Sequence, residues 1–499
     1  MAQVRRRARG AIAPAACVQA IRAAATLPYS QGMRRERELM DTLFNSGQAR
    51  AMQHCFFSQR SVGRWSTPSG MRWDNSRPRP VHKAAVVGLG TMGRGIVVSF
   101  ARAGIPVLGV EMDAKQLEVA RKTVTATLER DAQRRGVEPP LGLVRFTVGL
   151  QDLREVDLVI EAVFEDMALK KRVFRELSSA CRPDTLLCSN TSSLDLDQLA
   201  ATTSRPELVV GMHFFAPAHV MKLLEVIYGP RSSPTAVATA MQLGKRLGKV
   251  SVAVGNCPGF VGNRMLKHYV EQANFLLEEG ASPEQVDQAL EEFGFPMGVF
   301  RMSDLSGLDV GWRVRKESGL TGPGVAPGEQ VRRRQGRRRQ AVAGTCTTGL
   351  GGREAKPDPW LRSFLEEYRS RHGLRARTVS QQEVLERCLY ALVNEGFRIL
   401  EDGIAAGPED IDVIYVLGYG WPPHRGGPMF HAVAVGLPTV LERLEHYHQA
   451  HPRHPTAPAQ PPPAEAGRQG QPAHPEVEGD HQECPQSALR PPDHYHSSP

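Results

Sequence analysis

The sequence predicts an α/β fold, a doubly wound sheet of the Rossmann type followed by duplicated all-helical domains, and three observations predict it. Between Lys83 and about Val254, short apolar runs (KAAVVG, IPVLGVE, VDLVIEAV, DTLLCSN, PELVVGM) alternate with amphipathic helical stretches. That alternation indicates a mostly parallel sheet covered by helices. A glycine-rich turn, VVGLGTMGRG at 86–95, follows the first run. From Phe260 onward helical periodicity takes over, as in FVGNRMLKHYVEQANFLLEEG.

Taken in order, residues 1–80 read as a residual linker helix and linker, Ala/Arg-rich with a helical patch, RERELMDTLFNSGQARAMQHCFF, and a Pro-containing end. Residues 81–257 form the sheet domain and 258–320 the first helical domain. Residues 321–356 are irregular and rich in Arg and Gly, 357–450 are the second helical domain, and 451–499 are a Pro/Gln-rich tail predicted to be disordered. The two helical domains carry a weak repeat: FLLEEGASPEQVDQALEEFGFPMGVF at 275–300 resembles FRILEDGIAAGPEDIDVIYVLGYGWPPHRGGPMF at 397–430. In both, a helix ends in an acid and glycine, a Pro-Glu turn opens the next, and a Gly/Pro bend closes on Met.

Composition narrows the function classes. With 41% hydrophobic and 23% charged residues the chain is ordinary for a globular protein. No apolar run approaches the roughly 18 residues of a membrane helix. The net charge of +9 comes largely from MAQVRRRARG and from RRRQGRRR at 332–339. Such runs are more often solvated segments than nucleic-acid contacts, and no nucleic-acid partner is expected. The eight cysteines form no CxxC pair, so neither a metal site nor a disulfide framework is predicted.

Within the glycine turn, Gly88, Gly90 and Gly93 have G-x-G-x-x-G spacing. The first glycine permits a tight turn off the strand, the second a close approach of backbone to a pyrophosphate, the third close helix–sheet packing. The second strand ends in Glu111, 23 positions after Gly88. An acid near that distance binds adenosine ribose hydroxyls and repels a 2′-phosphate, so NAD is the predicted cofactor. The competing reading is a purely structural glycine turn.

The stretch HFFAPAHVMKLLE places His213 twelve positions before Glu225. Alone, His213 reads as an ordinary histidine in an apolar strand. If HFF ends one strand and KLLEVI returns antiparallel across a short turn, Glu225 comes back beside His213, and a base with an orienting carboxylate results.

VVGLGTMGRG, DLVIEAVFED, SNTSSLDL, GMHFFAPAHVMKLLEVI and GNCPGFVGNRML, in this order, resemble the L-3-hydroxyacyl-CoA dehydrogenase family over about residues 10–320 and 356–450. The flanks are similar to a branch in which an enoyl-CoA hydratase/isomerase domain precedes the dehydrogenase. The resemblance implies His213 as general base and Glu225 as its partner, with Ser192 and Asn263 hydrogen-bonding substrate and histidine. It implies Gly88, Gly90, Thr91, Met92, Gly93, Glu111, Ala162, Glu165, Lys170 and Asn190 as cofactor-binding. For Glu165 and Lys170 an exposed helix-start charge is the alternative, and His219 reads as structural. Ala216 stands where relatives carry Asn or Ser, which predicts lowered activity.

The resemblance thus implies NAD-dependent oxidation of (S)-3-hydroxyacyl-CoA in fatty acid β-oxidation, without hydratase activity. The partner is an acyl-CoA, the chain a monomer or homodimer, and the compartment the peroxisome, with the mitochondrion as alternative. Residues 325–355 depart from the family's glycine- and lysine-rich run and look like a wrong reading frame or a mis-joined exon. Two other readings stay open: a catalytically weak NAD-binding protein, and a mis-spliced product.

Overall fold

The computed structural model of the chain describes residues 8–63, 76–306, 347–348, 356–357 and 359–451. The arginine run at 332–339, nearly all of the irregular 321–356 segment and the tail beyond His451 lie outside the described residues.

Among the described residues the first three α-helices of more than one turn are α1 (Ala13–Thr26), α2 (Tyr29–Phe44) and α3 (Gly47–Ser61). The stretch read as one helical patch breaks at Asn45 and Ser46. The Ser46 side chain accepts the Ala49 N–H at 3.1 Å and caps α3, which favours a new start over continuation.

The sheet domain runs β1 (Ala84–Val87), α4 (Thr91–Arg102), β2 (Val107–Val110), α5 (Ala114–Arg135), β3 (Val144–Thr147) and β4 (Leu158–Glu161). It continues with α6 (Met167–Ala180), β5 (Leu186–Ser189), α7 (Leu196–Ala200), β6 (Val209–Phe214), β7 (Leu223–Tyr228), α8 (Pro234–Arg246) and β8 (Val250–Gly255). The eight strands lie in the order β3-β2-β1-β4-β5-β6-β7-β8. All pairs are parallel except β6–β7. Strands β1, β2, β4, β5 and β6 are buried along their whole length, as both-face helix cover requires. The runs read from sequence omit β3 and β8, the two edges. VRFT of β3 is only partly buried and alternates polar with apolar, so it has no continuous apolar run. VSVAVG of β8 opens behind Lys249 with a serine inside it.

Chain order reverses between β1 and β4, which opens a crevice at the carboxyl ends of the strands. Gly88, Glu111, Ala162 and Asn190 immediately follow β1, β2, β4 and β5, and His213 is the penultimate residue of β6. The topology alone therefore gathers these positions along one edge.

Among the described residues eight α-helices follow: α9 (Gly262–Glu279), α10 (Pro283–Phe293), α11 (Val299–Ser306), α12 (Pro359–Arg371), α13 (Gln381–Glu401), α14 (Pro408–Gly418), α15 (Pro428–Val435) and α16 (Leu437–Ala450). Helices α9 and α13, the long members of the two repeat copies, pack against each other. The copies share a device beyond the turns and glycines of the repeat: a buried aspartate that caps the next helix. In the first, Asp287 accepts the N–H groups of Phe300 (2.9 Å) and Arg301 (3.0 Å) at the start of α11. In the second, Asp412 accepts those of Met429 (2.7 Å) and Phe430 (3.1 Å) at the start of α15. A Cβ on Gly298 or on Gly427 would fall within 2.3 Å of the respective aspartate, so glycine is required in both copies. Burial pushes each of these carboxyls up to about 6. The second copy adds a contact of its own: His54 Nε2 of α3 lies 2.8 Å from Asp412 Oδ2 and anchors the first helices there.

Candidate active site

The glycine turn has the geometry its spacing predicts. Gly88 has φ +91°, and a Cβ on it would lie 2.8 Å from the Ala162 carbonyl. A Cβ on Gly93 would lie 1.9 Å from the Gly88 oxygen, so the third glycine is what lets α4 approach β1. Above Gly90, by contrast, a Cβ would meet nothing within 4 Å. Gly90 precedes α4, whose N-terminus no side chain caps. An anion placed there would meet unshielded peptide N–H groups and the positive end of the helix. Thr91 is exposed and Met92 half-buried in the first turn. Glu111 is held in place: Oε2 accepts the Leu89 N–H at 3.0 Å and Oε1 the Met112 N–H at 2.9 Å. Open space over Gly90, an uncapped helix start and a fixed acid beyond β2 fit a dinucleotide.

Next to this crevice, the β6–β7 hairpin pairs His213 with Glu225 in register. Nδ1 lies 2.7 Å from Glu225 Oε2. The carboxylate is completely buried, and the His213 side chain is 9% exposed. The other carboxylate oxygen accepts the Gly262 N–H at 3.2 Å. A carboxylate against Nδ1 requires the proton on that nitrogen, so the Nε2 lone pair is left for another partner. Among the described residues nothing hydrogen-bonds Nε2. Phe215 packs 4.4 Å from the ring and Phe260 6.0 Å, centroid to centroid. Phe260 is fully buried with φ +51°, a backbone conformation that costs a non-glycine residue of order 1 kcal/mol. The bend at 257–260 presents the Gly262 N–H to Glu225.

The other predicted residues form a network beside this pair. Ser192 and Asn263 meet: Asn263 Nδ2 donates to the Ser192 carbonyl at 3.0 Å. No hydrogen bond from either residue reaches His213 among the described residues; the link is through the chain, since Gly262, bound to Glu225, adjoins Asn263. Asn190 Oδ1 accepts the Phe214 N–H at 2.9 Å, so it brackets β5 to the strand carrying His213. Lys170 is 1% exposed, which removes the exposed-charge alternative for it. Its Nζ lies 2.7 Å from Glu161 Oε1 and 3.3 Å from Glu165 Oε2. Glu165 in turn accepts from Thr191 Oγ1 (2.6 Å) and from the Ser192 N–H (2.8 Å). Burial alone would raise the Glu165 carboxyl; the Lys170 ammonium and these donors outweigh it and hold the group below the usual carboxylate range. Ala216 is exposed on the β6–β7 turn, and the His219 carbonyl on the same turn accepts Arg102 Nη1 at 2.6 Å.

Sequence reasoning missed Glu161, Ser189, Tyr415 and Tyr419. Glu161 ends β4 fully buried and also accepts the Val163 N–H and the Ser189 hydroxyl, each at 2.7 Å. An acid closing an otherwise apolar strand run was the available signal. The tyrosines come from α14 and the residue after it: Tyr415 donates to the Gly262 carbonyl at 3.0 Å and Tyr419 to Asn263 Oδ1 at 2.8 Å.

A doubly wound sheet with a nucleotide crevice, beside a buried His–Glu pair, defines a nicotinamide-dependent oxidoreductase class. Residues 83–257 match the family description "3-hydroxyacyl-CoA dehydrogenase, NAD binding domain", and residues 259–370 and 384–476 match "3-hydroxyacyl-CoA dehydrogenase, C-terminal domain". The chain belongs to the 3-hydroxyacyl-CoA dehydrogenase family and carries its NAD-binding domain. It is 65% identical over 464 residues to a peroxisomal bifunctional enzyme of Danio rerio, and 55% identical over 471 residues to that of Homo sapiens. Each alignment covers 90% of this chain but only 64% of the relative, so the chain spans under two thirds of their length. Among solved structures it resembles the dehydrogenase part of multifunctional enzyme 1 from C. elegans (TM-score 0.57, 30% identity, 80% of this chain and 93% of that one). It also resembles a 3-hydroxybutyryl-CoA dehydrogenase from Escherichia coli (TM-score 0.64, 26% identity, 76% and 97%).

Proposed function

We propose that the chain catalyses NAD-dependent oxidation of (S)-3-hydroxyacyl-CoA to 3-oxoacyl-CoA in peroxisomal fatty acid β-oxidation. The observation that carries this reading is the buried His213–Glu225 pair, with Nε2 open beside the crevice. The family membership and the names of the relatives support substrate class and compartment.

His213 Nε2 takes the proton of the substrate's 3-hydroxyl. Glu225 holds the imidazole in the accepting tautomer and stabilises the imidazolium that forms; the Gly262 N–H keeps the carboxylate in place. The Ser192 hydroxyl and the second N–H of the Asn263 amide orient the reacting oxygen. Gly88, Gly90, Thr91, Met92 and Gly93 hold the pyrophosphate of the cofactor and Glu111 its adenosine ribose. Ala162, Glu165, Lys170 and Asn190 shape the nicotinamide side, Lys170 acting through Glu165. Bound NAD supplies the hydride acceptor for C3.

The test is acetoacetyl-CoA reduction by NADH on the purified chain, followed by NADH absorbance. Turnover that falls sharply when NADPH replaces NADH is the expected outcome. Tight NADH binding without turnover sinks the enzyme reading and leaves an NAD-binding protein.

A further inference from the structure

We propose that Tyr419, from the second helical domain, is a positioning residue for the reaction: it acts on substrate through Asn263 of the first. The inference rests on the function proposed above, in which Asn263 faces the reacting oxygen.

An asparagine amide has two ends of nearly equal shape and opposite hydrogen-bonding character, so its neighbours decide which way it points. Asn263 has two such neighbours. The Ser192 carbonyl can only accept, and Nδ2 meets it at 3.0 Å. The Tyr419 hydroxyl meets Oδ1 at 2.8 Å, and against an amide oxygen it can only donate. The two partners enforce the same orientation. One Nδ2–H is then left to point away from Ser192, and its donor strength rises as Oδ1 accepts from Tyr419, because hydrogen bonds in a chain polarise one another.

The surroundings are shaped for this contact. A Cβ on Gly262 would lie 2.3 Å from the Tyr419 hydroxyl oxygen, so only glycine next to Asn263 admits the ring. A Cβ on Gly418 would lie 2.4 Å from Leu223 of β7. Glycine on both sides of the repeat boundary lets α14 sit against the catalytic hairpin. The Tyr419 ring stacks on Tyr415 at 4.9 Å and meets Phe215 edge-on at 5.5 Å, and Phe215 in turn packs on His213. Tyr415 and Tyr419 thus hold consecutive residues: Gly262, which supports Glu225, and Asn263. Burial and the charge of Glu225 raise the Tyr419 phenol well above its usual value, so it remains a donor throughout the working pH range.

The experiment is a double-mutant cycle of Tyr419→Phe and Asn263→Ala, reading kcat and KM with acetoacetyl-CoA and NADH, with acetoacetyl-CoA and NADH affinities by calorimetry on the same samples. Tyr419→Phe keeps the ring and loses one hydrogen bond. The expected result is a roughly three- to tenfold fall in kcat/KM for acetoacetyl-CoA, NADH affinity within about twofold of the parent, and no further loss in the Asn263→Ala background. The same fall in both backgrounds overturns the proposal, as does an unchanged kcat/KM. A parent chain without turnover sinks the functional reading instead; the cycle is then decided by acetoacetyl-CoA affinity, where non-additivity supports the positioning role and additivity rejects it.

Discussion

Two carboxylates end up fully buried within the same sheet, and they have opposite fates. Glu161, at the end of β4, is saturated by the Lys170 ammonium, a backbone N–H and the Ser189 hydroxyl. Glu225, on β7, has one N–H and an imidazole. The ammonium spends its charge inside the network, bridging Glu161 to Glu165. The imidazole has a second nitrogen on its far side. A buried acid paired with lysine can hold a loop; a buried acid paired with histidine can hold a group that passes a proton. The difference lies in the partner's second valence, since complete burial on a strand of the sheet is shared.

Substitutions can break this contrast. His213→Gln is expected to lower kcat by about 10⁴-fold, at the upper end of general-base effects, with a melting temperature near the parent's. A loss of stability in place of activity would make His213 a core residue like Lys170. Lys170→Met strands Glu161 and Glu165 and is expected to cost about 3–5 kcal/mol, read as a lower denaturant midpoint. An undiminished midpoint would show that Glu161 needs no cation. Glu225→Gln should reduce kcat by about 10²-fold, because the amide keeps the shape but loses the charge that stabilises the imidazolium. A kcat close to the parent's would place Glu225 with Glu161 as support alone.

The smallest effect concerns Glu165. Its carboxyl is held below the ordinary value of 4.5, so the unfolded chain binds the proton more readily. The group's stabilisation is therefore complete above about pH 4.5 and is lost as pH falls through the depressed value. Melting temperatures of parent and Glu165→Gln should differ most above pH 5 and converge in acid. Parallel curves would mean that Glu165 gains nothing from Lys170 and Thr191.

What could be read from sequence follows the range of the interaction. The hairpin joining His213 to Glu225 was legible because both strands are apolar and adjacent in sequence, although the connection at 215–222 is longer than the short turn expected. The glycine turn was legible because each glycine serves a local steric need. The Tyr419–Asn263 bond spans 156 residues and crosses between the two helical domains, and no local pattern announces it. Lys170 was named from the sequence but its pairing with Glu161 was hidden for another reason: nine residues apart, they meet only because β4 and α6 fold back on each other. Asp287 and Asp412 were within reach, since PEQVD and PEDID align in the two copies. The Pro and Gly residues of each turn stand out locally, whereas the role of the aspartates depends on N–H groups 13 to 18 residues further on.

The bond between His54 and Asp412 imposes an order in time. Its partners lie 358 residues apart, and a ribosome adding roughly 5–20 residues per second needs roughly 20–70 s to make the second after the first. Through that interval the face of α3 that will meet the last helices has no counterpart, although its own helical hydrogen bonds can already form. Helix α3 is thus among the last elements to be secured, and a chain stopped before α14 would leave it exposed to chaperones and proteases.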